Sequence, residues 1–274
     1  MTQNESNNFC ILIYKMLKVE SSSSQPFEVE IITCPAIANV IAEEIKLSYA
    51  GPVGFDTESS AINQGRNRQV CLIQIYVPWR HKKPVCYLFH VAQWNLENPR
   101  DKEEFPIGLR QLLTSKEIVK AVAAPENDVR QIFFDFGISM AGYFDIQTLA
   151  TSLGIKKVGL NNLAEIFIKN WDGKEQISHE EWHEILSDDQ IRYAANDAYA
   201  SGEIFRCIMP TLFSIPEPHM TIVNETVQKV LSKLQNQVHT RQDLYRLCNG
   251  CIPQEVTIPG CRREICRRSV QCLI

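Results

Sequence analysis

The residues best suited to chemistry in this chain are acids. Asp56 and Glu58 stand one residue apart in Gly54-Phe55-Asp56-Thr57-Glu58. Val53 and Phe55 are strand-forming types, and the two-residue period of a strand sends both carboxylates to the same side. Two like charges facing one way repel, and a divalent cation is the usual compensation when such a pair ends a buried strand. On this segment alone the plainer reading is better: two solvated acids on an edge strand. Its weight depends on other carboxylates that can converge on it. Asp128 stands just inside a helix that the sequence predicts over 126–136. Tyr193 and Asp197 are four apart on a long last helix, so they share one face. Ile191, Ala194, Ala198 and Phe205 turn that face inward. Singly, Asp128 reads as a solvated first-turn acid favoured by the helix dipole, and Tyr193 as a core aromatic with its hydroxyl at the rim.

As a set, four acids from three elements with one tyrosine meet a specific need. Hydrolysing a phosphodiester with two divalent ions requires carboxylates that hold them about 3.5–4 Å apart. A tyrosine hydroxyl near the first ion orients the attacking water or helps deprotonate it. Oxygen-only ligation suits magnesium or manganese better than zinc. Arg66 and Arg68 follow the acidic strand and read evenly as surface charges or as phosphate contacts. Trp182 reads as a packing anchor, and His90 and His183 as structural.

These residues need elements to position them. Alternation predicts a strand over 28–33, and helical spacing predicts a helix over 36–48. The acidic strand covers 53–58, a polar loop 59–68, and two further strands 69–76 and 85–91, close enough for an antiparallel meander. A short helix over 106–113, a buried strand over 117–123 and the helix 126–136 follow. Asp145 is an N-cap. A helix over 160–168 and a polar connection over 169–186 come next. Ser187 and Gln190 form a capping-box signature for a helix running to about residue 208, and Pro210, Pro216 and Pro218 mark a boundary after it. Strands, then alternating helix and strand, then helices imply an α/β fold, a mixed central sheet with helices on both faces.

In this order the motifs resemble those of the 3′-5′ exonuclease domains of the RNase D and Werner type, the DEDD superfamily with a tyrosine in its third motif. The resemblance rests on Phe55-Asp-Thr-Glu58, Leu72-Ile-Gln74, Ala121–Ile132 with Asp128, and Asp145-Ile-Gln-Thr-Leu-Ala150. It continues through Leu160-Asn-Asn-Leu163, Trp182 and Asp189-Gln-Ile-Arg-Tyr-Ala-Ala-Asn-Asp-Ala-Tyr199, spanning roughly 28–213. It implies a ribonuclease H-like exonuclease fold and a metal-dependent 3′-5′ exonuclease that releases nucleoside 5′-monophosphates from a nucleic-acid 3′ end, RNA or DNA. It also implies that Asp56, Glu58 and Asp197 surround one Mg²⁺ or Mn²⁺. Asp56 then bridges to a second ion, Asp128 acts on that ion through water, and Tyr193 holds the attacking water. The chain departs from the family at Ala123, where glycine is usual, with Pro125 nearby, and at Glu180 and Glu181, where basic or polar residues are usual. A weakly active or inactive scaffold that binds nucleic acid or a protein is the alternative. Such derivatives normally lose one or more of the metal acids, and this chain keeps them all.

Composition sets the frame. The chain has 274 residues, 45% hydrophobic and 22% charged, with a net charge of −4. That argues against a nucleic-acid binder over its whole surface, not against a local basic groove. Residues 220–274 carry eight Lys/Arg against four Asp/Glu and are +4, which leaves the body at −8. The expected organisation is a flexible leader over 1–24, the exonuclease domain over 25–215, and a small helical, Cys-rich tail over 216–274. In the tail, 221–238 carries one apolar helical stripe suited to the domain's surface or to a protein partner. Cys248, Cys251, Cys261 and Cys266 form either a zinc knuckle of unusual spacing or a tail of free thiols, interleaved with arginines that suit nucleic acid. Cys10, Cys34, Cys71, Cys86 and Cys207 sit in apolar stretches and read as free thiols of a reducing compartment. No secretory signal, membrane span or prenylation box is legible, so the expectation is an intracellular protein of nucleus or cytoplasm.

Overall fold

The computed structural model describes residues 26–48, 51–61, 68–78, 83–101, 104–153, 155–171 and 181–213. The leader over 1–24, Arg66, Glu180, the helix expected over 221–238 and the tail cysteines lie outside them. Among the described residues, no helix is long and apolar enough to cross a membrane.

Among the described residues, six strands form one sheet: β1 (Glu28–Ile32), β2 (Val53–Ala61), β3 (Arg68–Val77), β4 (Val85–Phe89), β5 (Lys120–Val122) and β6 (Tyr143–Asp145). Their spatial order is β1-β4-β3-β2-β5-β6. β2, β3 and β4 make the antiparallel meander expected from their spacing. β1 joins it parallel to β4, while β5 and β6 extend the other side of β2 in parallel. β6 has three residues, too few for alternation to reveal it. The meander is longer at the acidic end than the sequence implies. β2 runs on to Ala61 and β3 starts at Arg68, so Arg68 belongs to a strand and not to a loop.

Among the described residues, helices α1 (Pro35–Leu47), α2 (Ile107–Thr114), α3 (Glu126–Phe136), α4 (Ile146–Ser152), α5 (Leu160–Phe167) and α6 (Asp188–Phe213) cover the sheet. Proline opens α1 at its first turn. Gly137, at φ 64° in the left-handed region, stops α3. Asp145 caps α4 by accepting from the Gln147 and Thr148 N–H groups. The expected capping box opens α6: Gln190 accepts from Ser187 N–H and Ser187 Oγ from Gln190 N–H. α6 does not end near residue 208. It continues past Pro210, because Ile204, Phe205, Ile208 and Met209 are fully buried and tertiary packing outweighs local propensity.

Alternation sorts the sheet residues between two cores. Phe55, Ile73, Ile75, Tyr87 and Phe89 pack with α1, α2, Ile132 and Phe136 on one face. Leu72, Tyr76, Cys86 and Leu88 pack with Ala194, Ala195 and Ala198 of α6 and with Trp182 on the other. Asp56 and Glu58, one residue out of phase with Phe55, therefore face α6. Lys120 is fully buried: its amine donates to the carbonyls of Leu112, Ser115 and Ile118, which ties the end of α2 to β5.

Candidate active site

The site forms where β2 meets α6, and two glycines allow the meeting. A Cβ added to Gly54 would lie 1.8 Å from the Ala198 carbonyl oxygen and 2.8 Å from Gly202 N. A Cβ on Gly202 would lie 2.9 Å from the Tyr76 ring and 3.1 Å from Gly54 N. Backbone thus packs on backbone, and the inward face of α6 is drawn onto the carboxylates of β2. Asp56, Glu58 and Asp197 each offer a carboxylate oxygen, and these oxygens lie within 4.8 Å of one another.

Asp128 reaches the site from the other side of β2. α3 is fastened over the start of β3, where Asp135 accepts from Val70 N–H at 2.7 Å and Gln131 donates to the Arg68 carbonyl at 2.8 Å. Thr57, pointing away from α6, donates its hydroxyl to Asp128. Pro125 precedes the first turn of α3, and Ala124 takes a left-handed φ of 51° with its N–H donated to Asp145. Ala123 and Pro125 are thus accommodated in a turn that presents Asp128 toward β2. Thr57 is a residue that motif reading passes over. The available signal is a hydroxyl between two acids, on the opposite face of their strand.

The four acids, Asp197 buried and the other three half-buried, crowd together and hold their protons tightly. Asp56 is held well above the usual carboxylate range, first by burial and then by Asp197, Asp128 and Glu58. Glu58 is pushed up to about 8 by burial, Asp197 and Asp128, against the opposing pull of Arg68. Burial raises Asp128 to about 6 against the Thr57 hydrogen bond, and Asp197 to about 6 against that from Tyr193. Tyr193 donates to Asp197, and burial followed by Asp197 and Glu58 raises its phenol far above the ordinary value.

These directions fix a pH dependence. Each carboxyl binds its proton more tightly folded than unfolded, so this cluster stabilises the fold fully below about pH 4, the unfolded range. That contribution is lost as pH rises toward about 8, the value for Glu58. The metal-free protein is expected to melt at a lower temperature at pH 8 than at pH 5. The drop should shrink in Asp56→Asn and on adding Mn²⁺. Thermal melts at both pH values test this, and a drop unaffected by Mn²⁺ and by the substitution contradicts it.

The surrounding residues hold the cluster. Trp182 is fully buried, its backbone N–H donates to Ser60 Oγ at 2.8 Å, and its ring lies 6.3 Å from that of Tyr193. It packs the tyrosine in place and has no face to offer a base. His90 Nε2 donates to the Trp182 carbonyl at 2.9 Å, a structural contact as expected. Arg68 folds back onto Ser59, bonding its hydroxyl at 3.2 Å and its carbonyl, which places the guanidinium close enough to lower the Glu58 pKa.

Comparison with known proteins gives the family and the fold. Residues 29–212, more than half of the chain, match the family model described as 3′-5′ exonuclease. Exonuclease 3′-5′ domain-containing protein 2 of Drosophila melanogaster is 27% identical over 160 residues, 56% of this chain and 24% of that protein. The bifunctional 3′-5′ exonuclease/ATP-dependent helicase WRN of Mus musculus is 28% identical over 193 residues, 69% of this chain and 13% of that protein. The chain thus spans a quarter or less of the length of these two relatives. Among solved structures, the Nibbler EXO domain of Aedes aegypti aligns with TM-score 0.54 at 19% identity, covering 76% of this chain and 99% of that one. The catalytic core of RRP6 from Trypanosoma brucei aligns with TM-score 0.57 at 16% identity, covering 78% and 54%. At such identities the structures show a shared fold, the ribonuclease H-like exonuclease fold. With the family model spanning β1 to α6 and every motif between them, the chain belongs to the 3′-5′ exonuclease family.

Proposed function

We propose that this chain removes nucleotides from nucleic-acid 3′ ends as 5′-monophosphates, with two Mg²⁺ or Mn²⁺ ions held by Asp56, Glu58, Asp128 and Asp197. The observation that carries this reading is the convergence of the Asp56, Glu58 and Asp197 oxygens within 4.8 Å of one another. An all-oxygen, multiply anionic donor set fits hard divalent cations. Bound there, the cations supply Lewis acidity, easing ionisation of the attacking water and offsetting charge on the leaving 3′-oxygen. Asp56, Glu58 and Asp197 would hold one ion, and Asp56 would share the second with Asp128, which is held by Thr57. The basic stretch 220–274 adds sequence-independent affinity for the phosphate backbone.

Tyr193 has a defined part in this scheme. Its phenol stays protonated at neutral pH, so it holds the attacking water by hydrogen bonding and does not take its proton. Tyr193→Phe removes only the hydroxyl. It should slow hydrolysis roughly 100-fold, as for a misplaced reacting group, while Mn²⁺ affinity changes little. An undiminished rate would remove Tyr193 from the scheme.

A 5′-labelled oligonucleotide with Mg²⁺ or Mn²⁺ tests the function. A ladder shortening from the 3′ end supports it, and RNA, single-stranded DNA and recessed duplex run side by side give the substrate class. Binding without any ladder on all three would refute it.

A further inference from the structure

Gln74 is 0% exposed, yet neither Nε2 nor Oε1 of its amide has a hydrogen-bond partner. On β3 it stands between Leu72 and Tyr76, which pack with the α6 alanines. An unpartnered buried amide is destabilising, so leucine would suit this layer better. Its register explains the choice. Gln74 pairs with Leu88 on β4 and with Asp56 on β2, and only the second is polar. Directly opposite residues of an antiparallel pair project to the same face, with Cβ atoms about 4.5–5.5 Å apart, a gap that a glutamine amide spans.

We propose that Gln74 is a positioning residue for Asp56, its amide N–H donating to the Asp56 carboxylate when a divalent cation holds that carboxylate ionised. The inference rests on the metal-binding function proposed above. Asp56 is the acid assigned to both ions, so the orientation of its carboxylate matters more than that of its neighbours. A donor beneath it fixes that orientation and supports the anion. An amide does so without a positive charge, whereas a lysine or arginine would compete with the cation for the same oxygens. Metal-ligating carboxylates are commonly held by such outer hydrogen bonds.

The test uses the full chain with Gln74→Leu and Gln74→Met, followed by melting without metal and by Mn²⁺ titration in a calorimeter. The expected result is a metal-free Tm at or above that of the wild type, because an unpartnered polar group has gone. Beside it, the Mn²⁺ Kd should weaken roughly 10- to 100-fold, as for loss of an outer partner. Methionine, unbranched and as long as glutamine, carries the measurement if leucine does not fit. A Kd within twofold of the wild type overturns the inference, whatever the Tm. Failure of both variants to fold overturns it too and assigns the amide to the fold. A wild type that binds no Mn²⁺ refutes the metal site itself, whereas wild-type binding with unaffected variants refutes only the role of Gln74.

Discussion

Asp56→Asn is expected to abolish degradation from the 3′ end while making the metal-free protein more stable. The substitution keeps the shape of the side chain and removes its charge. Asp56 is the most electrostatically burdened acid of the cluster, raised by burial and by all three neighbouring carboxylates. Removing it lifts part of the repulsion on Glu58, Asp128 and Asp197. One unit of pKa shift corresponds to about 1.4 kcal/mol, which in a domain of this size moves Tm by a few degrees. The metal-free Tm at pH 8 should therefore rise by at least roughly that much. Activity moves the other way. The Lewis acidity of bound cations supplies several kcal/mol at the transition state, so losing a ligand to both should cost on the order of a thousandfold or more. The paired readout separates a functional acid from a structural one. A structural acid would lose stability on substitution, and activity only in proportion. Retained exonuclease activity in Asp56→Asn would defeat the assignment.

The second large effect comes from a residue with no chemistry. Gly54→Ala puts a methyl 1.8 Å from the Ala198 carbonyl oxygen, and the obstacle is helix backbone that cannot rotate aside. α6 must move outward by more than 1 Å to restore an ordinary contact distance. Asp197 and Tyr193 travel with it, away from Asp56 and Glu58. A misplacement of that size costs about 100-fold in rate, and overpacking a tight contact costs about 1–3 kcal/mol or more in stability. Gly54→Ala should thus retain all four acids and the tyrosine, yet lose roughly 100-fold in exonuclease rate and bind Mn²⁺ more weakly. A variant with wild-type rate and Tm would show that the contact between β2 and α6 is not what assembles the cluster.

Local patterns made much of the molecule legible. Strand alternation put Asp56 and Glu58 on one side of β2, as the structure has them. Capping chemistry located the starts of α4 and α6, and with them the first turns that orient the rest of each helix. The i, i+4 spacing put Tyr193 and Asp197 on one helix face, where the structure joins them by a hydrogen bond. Each signal depends only on residues close in sequence. Contacts set by what lies opposite were not legible. β1 pairs with β4 across more than fifty residues, and β6 is too short to show a period. Arg68 lies on a strand because the β2–β3 ladder extends to the Ala61–Arg68 pair, past the last polar residues that suggested a loop. α6 passes Pro210 because its apolar face is buried along this stretch.

The sequence by itself therefore determined the inventory and order of the candidate site: four acids and one tyrosine, the strand and helices that carry them, and the family they resemble. Only the tertiary structure decided how they meet. Gly54 against Gly202 sets the distance between β2 and α6, Thr57 joins Asp128 to the back of the acidic strand, and Gln74 lies opposite Asp56. The reason is physical. Periods of 2 and 3.6 residues fix the direction in which a side chain points, but only packing between distant segments fixes what it finds there.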